Sequence, residues 1–292
     1  MIGALYAERL RFFHRPDLWV AMLVVAGFAG GTLVASYLDD ISRVGVGQGP
    51  VPAELPPEIA RGMALVRQPF AFPQSLLTVL GGAWPIPFAL ALVALATIGG
   101  EFSWGTVRSS ILAGTPRTRF LLARFATLAV LAVLMLVIVF SIGALFPLIL
   151  AATGERLPAT PSVSLAGVLA YYAARLLAIL AYTSLAALLA VATRSMAAGT
   201  LLGMAYLLTE AIGLGSATWS TGPAGWIQNL SLGGSTQALI EAGRRAAGEL
   251  ALVDDLRKPF VPPWVSLLVV MLWVALPAIA AIGLFRRIDI TE

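Results

Sequence analysis

Between Ile98 and Phe125 the sequence reads IGGEFSWGTVRSSILAGTPRTRFLLARF. It holds one carboxylate, Glu101, four guanidinium groups (Arg108, Arg117, Arg119, Arg124), a Gly105-Thr106 pair and a Thr115-Pro116 step. These residue types can hold phosphates, cap helices and dock on a partner protein. They do not supply a nucleophile with its base. The single histidine, His14, lies in the N-terminal flank, and there is no cysteine. H-E-x-x-H and G-x-S-x-G are both absent, so a membrane-embedded protease or lipid transferase has no machinery to draw on. Two more charges stand inside apolar runs, Arg175 and Glu210. A charge near the centre of a membrane helix costs about 2.5–3.5 kcal/mol on insertion scales, and a lone one costs more than a paired one. The two residues are expected at similar depth on neighbouring helices, and mutual compensation predicts an Arg175–Glu210 pair.

These groups are embedded in a very apolar chain. Of 292 residues, 59% are hydrophobic and 12% charged, about half the charge of a soluble domain. Mean hydropathy is +0.89. A chain of this composition has no surface left to face water, so the bilayer is its solvent. The net charge of +4 comes from 18 Arg and one Lys, which crowd the ends of apolar runs. Anionic lipid headgroups are the expected counter-charge, not nucleic acid.

Six apolar stretches approach the ~20 residues needed to cross hydrocarbon: residues 18–37, 76–98, 120–150, 164–192, 196–219 and 264–285. Period-2 alternation is missing, so the fold class is an all-α integral membrane protein with six transmembrane helices. The first stretch is read as an uncleaved helix. With the N-terminus inside, ten basic residues flank the inner side of the spans, while most of the outer eight fall in two long loops where the orientation rule has little force. Both termini are therefore expected in the cytoplasm, with the chain in the cytoplasmic (inner) membrane. Residues 38–75 and 220–263 form the outer loops. In the second, GPAGWIQNLSLGG is too short to cross and suits a re-entrant segment. A helix follows, with Ser235 as its N-cap. Residues 1–16 suit an amphipathic helix lying at the inner headgroups.

Residues 99–119 are then cytoplasmic. Glu101 is expected to end the second span at the water boundary. Gly105-Thr106 opens a short helix with Val107, Ile111 and Leu112 on its apolar face. Gly114 stops it in the left-handed region, Thr115 caps the next helix and Pro116 takes that helix's first position. GGAWPIPF, Gly81 to Phe88, should distort the second helix, because Pro85 and Pro87 bring no N–H. Small residues at spacing four (Gly27, Gly31, Ala35; Ala166, Ala170, Ala174, Ala178; Gly199, Gly203) allow close helix contact, within one chain or between two.

The segment from Gly99 to Phe125 resembles the link between the second and third helices of permeases in type-2 ATP-binding-cassette (ABC) exporters. The positions that match that family's loose pattern are Glu101, Gly105, Thr106, Ile111-Leu112, Pro116, Arg117 and Arg124, where Arg124 replaces the family's usual Lys. AIGLFRRIDI at the end of the chain and AERLRFFHRPDLW near its start are similar to the family's terminus and elbow helix. The resemblance implies a cytoplasmic coupling helix in which Glu101, Gly105, Thr106, Arg108, Pro116 and Arg117 meet a separate ATPase subunit. It also implies export, and an assembly of two permeases with two ATPases. Independently, the chain has no G-x-x-x-x-G-K-[ST], and its one lysine, Lys258, precedes a proline. No cofactor is expected in this chain; ATP and magnesium would belong to the partner. The apolar lining tilts the substrate toward a drug, peptide or lipid. An ion-coupled secondary carrier working through Arg175 and Glu210 is the alternative, and a membrane-embedded enzyme the more remote one.

Overall fold

The computed structural model describes residues 16–44, 67–83, 85–154, 157, 163–216, 229–248 and 261–288. Every regular element among them is helical. Five helices are long and apolar enough to cross a membrane, which defines a multi-pass, all-α membrane protein. The expected elbow helix lies outside the described residues, as do residues 45–66 of the first outer loop and 220–228, with most of the expected re-entrant segment, and 249–260 of the second.

Helix α1 (Pro16–Val44) is longer than the first apolar stretch. Its buried stripe is Val25, Ala29 and Leu33. Among the described residues Gly27 and Gly31 face no other helix, since a side chain at either would meet nothing within 4 Å. A short 3-10 turn (Gln68–Phe70) leads into α2 (Gln74–Gly82). The second expected span is not one helix. It ends at Ala83, whose N–H bonds to Leu80 O, and restarts as α3 (Ile86–Ala94). Pro85 and Pro87 have no N–H to continue the ladder, so the helix breaks where they fall. A π turn (Leu95–Gly99) and α4 (Gly100–Ser103) complete the crossing, and the span-length unit is Ile86–Ser103.

A short helix, α5 (Thr106–Leu112), separates α4 from α6 (Arg117–Ala152). At ~1.5 Å per residue α6 is roughly 54 Å long, well beyond ~30 Å of hydrocarbon. Pro147 sits inside it, so the carbonyl of Gly143, four residues earlier, loses its intrahelical donor. Ser75 of α2 fills the vacancy, its hydroxyl donating to Gly143 O at 2.7 Å. Glycine is needed there for approach: a Cβ would lie 2.7 Å from Val79 Cγ1 and 3.2 Å from Leu76 Cα.

Helix α7 (Leu165–Thr193) is central and touches all the later helices. Of its small-residue stripe, Ala174 and Ala178 are buried while Ala166 and Ala170 are exposed. Arg194 in the left-handed region turns the chain into α8 (Met196–Ser216). Gly199 and Gly203 of α8 face Leu95 of the π turn. Helix α9 (Leu232–Ala247) is capped by Ser231, which accepts from Gly234 N at 3.1 Å. Ser235 is not the cap; it is buried one turn in, donating to Leu232 O. Gly167 of α7 and Gly243 of α9 let these two backbones touch. Helix α10 (Pro263–Arg287) closes the described chain.

The Ser75–Gly143 bond is testable. Ser75→Ala leaves a buried carbonyl without a donor and should cost about 1–3 kcal/mol, read as a lowered unfolding midpoint of the purified chain in detergent. Ser141→Ala, on the exposed side of α6, should stay within about 0.5 kcal/mol of wild type.

Candidate functional site

Two stretches far apart in sequence meet at one end of the bundle. Glu101 on α4 and Arg124, in the second turn of α6, form a two-pronged ion pair. Arg124 Nε donates to Glu101 Oε2 at 3.1 Å, and Nη2 bonds to Oε1. Glu101 is 3% and Arg124 8% exposed. The carboxylate therefore does not end a span at the water boundary, as its sequence position suggests; it is removed from water with its counter-charge. Phe120 carries the Arg124 guanidinium 5.3 Å above its ring and stacks on Phe285 of α10 at 5.8 Å. Phe102, beside Glu101, meets Phe285 edge-on at 5.8 Å. This aromatic cluster shields the pair on the α10 side.

The pair fixes the take-off of α5. Trp104 N bonds to Gly100 O at 2.9 Å, ending α4, and Gly105 at φ +68° reverses the chain. A side chain there is strained, which is why glycine serves. The Thr106 hydroxyl donates to Glu101 O at 3.2 Å. Val107 is buried and Ile111 packs on the core, as the apolar-face reading requires. Leu112 departs from it: at 78% exposure it points outward, with Trp104 at 69% and Arg108 also exposed. Gly114 at φ +86° stops the helix as expected. Pro116, extended at φ −60° and ψ 134°, occupies the cap position itself, so α6 begins at Arg117.

Arg117 reaches across to the last helix. Its Nη1 donates to Arg286 O at 3.0 Å and Ile288 O at 2.9 Å. The last carbonyls of α10 have no partner within their own helix, and a cation is favoured there. Arg117 thus ties the end of the last helix to the start of α6. GGEFSWGT and GLFRR, noted separately in the sequence, form one structural unit.

The expected Arg175–Glu210 pair does not form. Arg175 Nη2 donates weakly to Tyr171 Oη at 3.4 Å, with Cζ 5.6 Å from that ring's centre. Its Nε is buried without a partner. Glu210 accepts from Tyr182 Oη at 2.8 Å, from Tyr206 Oη at 3.2 Å and from the backbone N–H of Gly233. The reason is positional. Tyr182 lies two turns beyond Arg175 on α7, roughly 10 Å along the helix axis, and it is Tyr182 that Glu210 meets. The first turn of α9 also brings its N–H groups to the carboxylate, a favourable place for negative charge. Among the described residues no group of three His, Cys, Asp or Glu could hold a metal.

Three contacts escaped the sequence reading: the Glu101–Arg124 pair, the Arg117 cap and the donors around Glu210. For the first there was a signal. Arg124 stands between Leu121-Leu122 and Leu128, at helical spacing for a buried face. The chain belongs to the family described as Protein of unknown function (DUF2705), which matches residues 64–291 and so contains every group above. No curated protein matches the chain.

Breaking a buried pair leaves an uncompensated charge, whereas replacing both members by apolar groups does not. Glu101→Gln alone should lose about 3–5 kcal/mol of stability. The double variant Glu101→Leu/Arg124→Met should recover most of it, as read from thermal unfolding in detergent.

Proposed function

We propose that this chain is the transmembrane permease subunit of an ATP-driven ABC exporter. On this reading α8 is a further crossing helix, making six, and both termini are cytoplasmic in the inner membrane. Helix α5 is the coupling helix, met by a separate ATPase subunit that binds ATP and magnesium. The observation that carries the reading is the construction of α5. It is a single amphipathic turn-pair held between two apolar helices, with its buried side locked by Glu101–Arg124 and its outer side presenting Trp104, Arg108 and Leu112. A large apolar side chain on an outward face away from the crossing helices calls for a partner, and an Arg between Trp and Leu is a composition enriched in protein interfaces. Helix α5 packs on α4, which the Glu101–Arg124 pair ties to α6 and the Phe102–Phe285 contact to α10, so a push on α5 would reach three helices together. The sequence lacks a nucleotide-binding lysine loop, so the motor is another polypeptide. A second copy of the chain is the expected co-permease. The α1 face with Gly27 and Gly31, unopposed among the described residues, offers close backbone contact for it.

The test is co-purification from native membranes in mild detergent. A subunit with ATPase activity should accompany the wild-type chain. Leu112→Glu with Arg108→Glu should weaken that association by more than ~30-fold, as for loss of an interface hot spot. Both side chains are exposed, so the unfolding midpoint of the chain should not move. A chain that transports in vesicles with no companion ATPase would overturn the reading.

A further inference from the structure

The corner where α6 begins and α10 ends carries more positive charge than the chain itself matches. Arg124 is held by Glu101, and Arg117 bonds to the α10 carbonyls. Three more guanidinium groups stand beside them: Arg119 in the first turn of α6, and Arg286 and Arg287 at the end of α10. All three are exposed, and among the described residues none of their side chains makes a hydrogen bond or an ion pair. The two helix ends lie together because Arg117 Nη1 reaches Arg286 O at 3.0 Å and Phe120 stacks on Phe285 at 5.8 Å. Glu101, the one acidic side chain described at this end, is buried in its own pair. Like charges this close repel one another, so the corner favours an anion from outside the chain. The planar fork of arginine matches phosphate oxygens in particular.

Directly inward of these charges the surface turns apolar. Leu122 lies three residues after Arg119 and Leu284 three before Arg287, so each shares a helix face with its arginine. Both leucines are exposed, and Leu276 and Ile279 continue the exposed α10 surface further in. Helix α10 is the least buried of the five crossing helices, so much of its length faces the acyl chains. A side chain at Gly283 would meet nothing within 4 Å, which leaves the wall open beside Leu284. A positive rim above an apolar wall asks for a ligand with two parts. A soluble acidic protein would match the rim and leave the wall bare. A zwitterionic lipid would cover the wall and bring no net charge to the rim. An anionic phospholipid satisfies both, and arginines at the end of a crossing helix sit at the depth of its headgroup.

We infer that the corner of α6 and α10 binds an anionic phospholipid, its phosphate against Arg119, Arg286 and Arg287 and an acyl chain along Leu122 and Leu284. Bound there, the lipid bridges the first turn of α6 and the last turn of α10 beside the Arg117 bonds. The inference goes beyond the permease reading and does not rest on it. Native mass spectrometry of the full chain in detergent compares phosphatidylglycerol with phosphatidylcholine of the same acyl chains. Phosphatidylglycerol should stay bound under conditions that strip phosphatidylcholine, and should raise the unfolding midpoint. Arg286→Gln/Arg287→Gln should weaken its retention by at least ~10-fold, the scale of two basic contacts to an anionic headgroup. The backbone carbonyls that Arg117 meets remain in this variant, so its lipid-free midpoint should hold. Arg119→Gln should weaken retention on its own, which keeps the test decisive should the double variant fail to fold. Arg244→Gln/Arg245→Gln on α9 removes the same charge elsewhere and should retain the lipid as wild type does. Equal retention of the two lipids, wild-type retention in the folded corner variants, or an equal loss in the α9 variant overturns the inference. So does displacement of phosphatidylglycerol by glycerol 3-phosphate at equal concentration, which would reduce the corner to a phosphate site with no part for the apolar wall. Because no ATPase enters the measurement, failure here leaves the permease reading in place, and failure to recover an ATPase leaves this binding in place.

Discussion

A carboxylate and a guanidinium taken out of water each lose several kcal/mol of hydration, and only a close, two-pronged pairing recovers it. Glu101 and Arg124 impose that condition on everything around them. Glu101 ends a crossing helix that has already been interrupted once, and Arg124 lies in the second turn of the next. For the two to meet, α4 must lie against the base of α6, which closes the chain between them into a tight hairpin. Gly105 and Gly114, both in the left-handed region, are the two points at which the backbone turns to achieve this. Phe120 and Phe102 then fall on either side of Phe285, and the last helix is drawn in. The Arg117 bonds to the α10 carbonyls complete the same corner.

Elsewhere the governing condition is that backbone groups in hydrocarbon must be satisfied by protein. Prolines test that condition, and the structure answers in two ways. At Pro85 and Pro87 the helix simply stops and restarts, with Ala83 O taken up by Ile86 N at 3.2 Å. At Pro147 the helix continues, and the freed Gly143 carbonyl is met by a serine from another helix. The second solution requires a glycine at the crossing, so Gly143 and Ser75 work as a pair across 68 residues of sequence. The π turn at Leu95–Gly99 is a third irregularity, and it lies against the start of α8: a side chain on Gly99 would come 2.9 Å from Met196 Cα.

The sequence carried the helices well where one local cause set them. Apolar length announced the crossing helices, Gly114 announced its stop, and the paired prolines announced the break in the second. It carried the site less well, because contacts between remote residues leave no local trace. Val107 and Leu112 look alike on a helical wheel, yet one is buried and the other points out; only the position of α6 decides which. Arg117 looks like a surface charge until the end of α10, well over a hundred residues later, is placed beside it. Arg175 and Glu210 invited pairing because each lacks a charged neighbour in sequence. Depth along a helix was not legible finely enough to resolve two helical turns.

Those two turns decide what the intramembrane charges can do. A relay between Arg175 and Glu210 would need direct exchange of partners, and the two share none: Arg175 bonds to Tyr171, Glu210 to Tyr182, Tyr206 and Gly233. Glu210 instead is held by donors from α7, α8 and α9 together, so it joins three helices at one point. From Met196, beside the Glu101 corner, it lies roughly 21 Å further along α8. Among the described residues the molecule thus has an ion pair at one end and, further along α8, a carboxyl held by two phenols and an N–H, the two linked by a helix that packs on the π turn. On the proposed reading, the compensated pair suits a part that must stay rigid while a motor pushes on it.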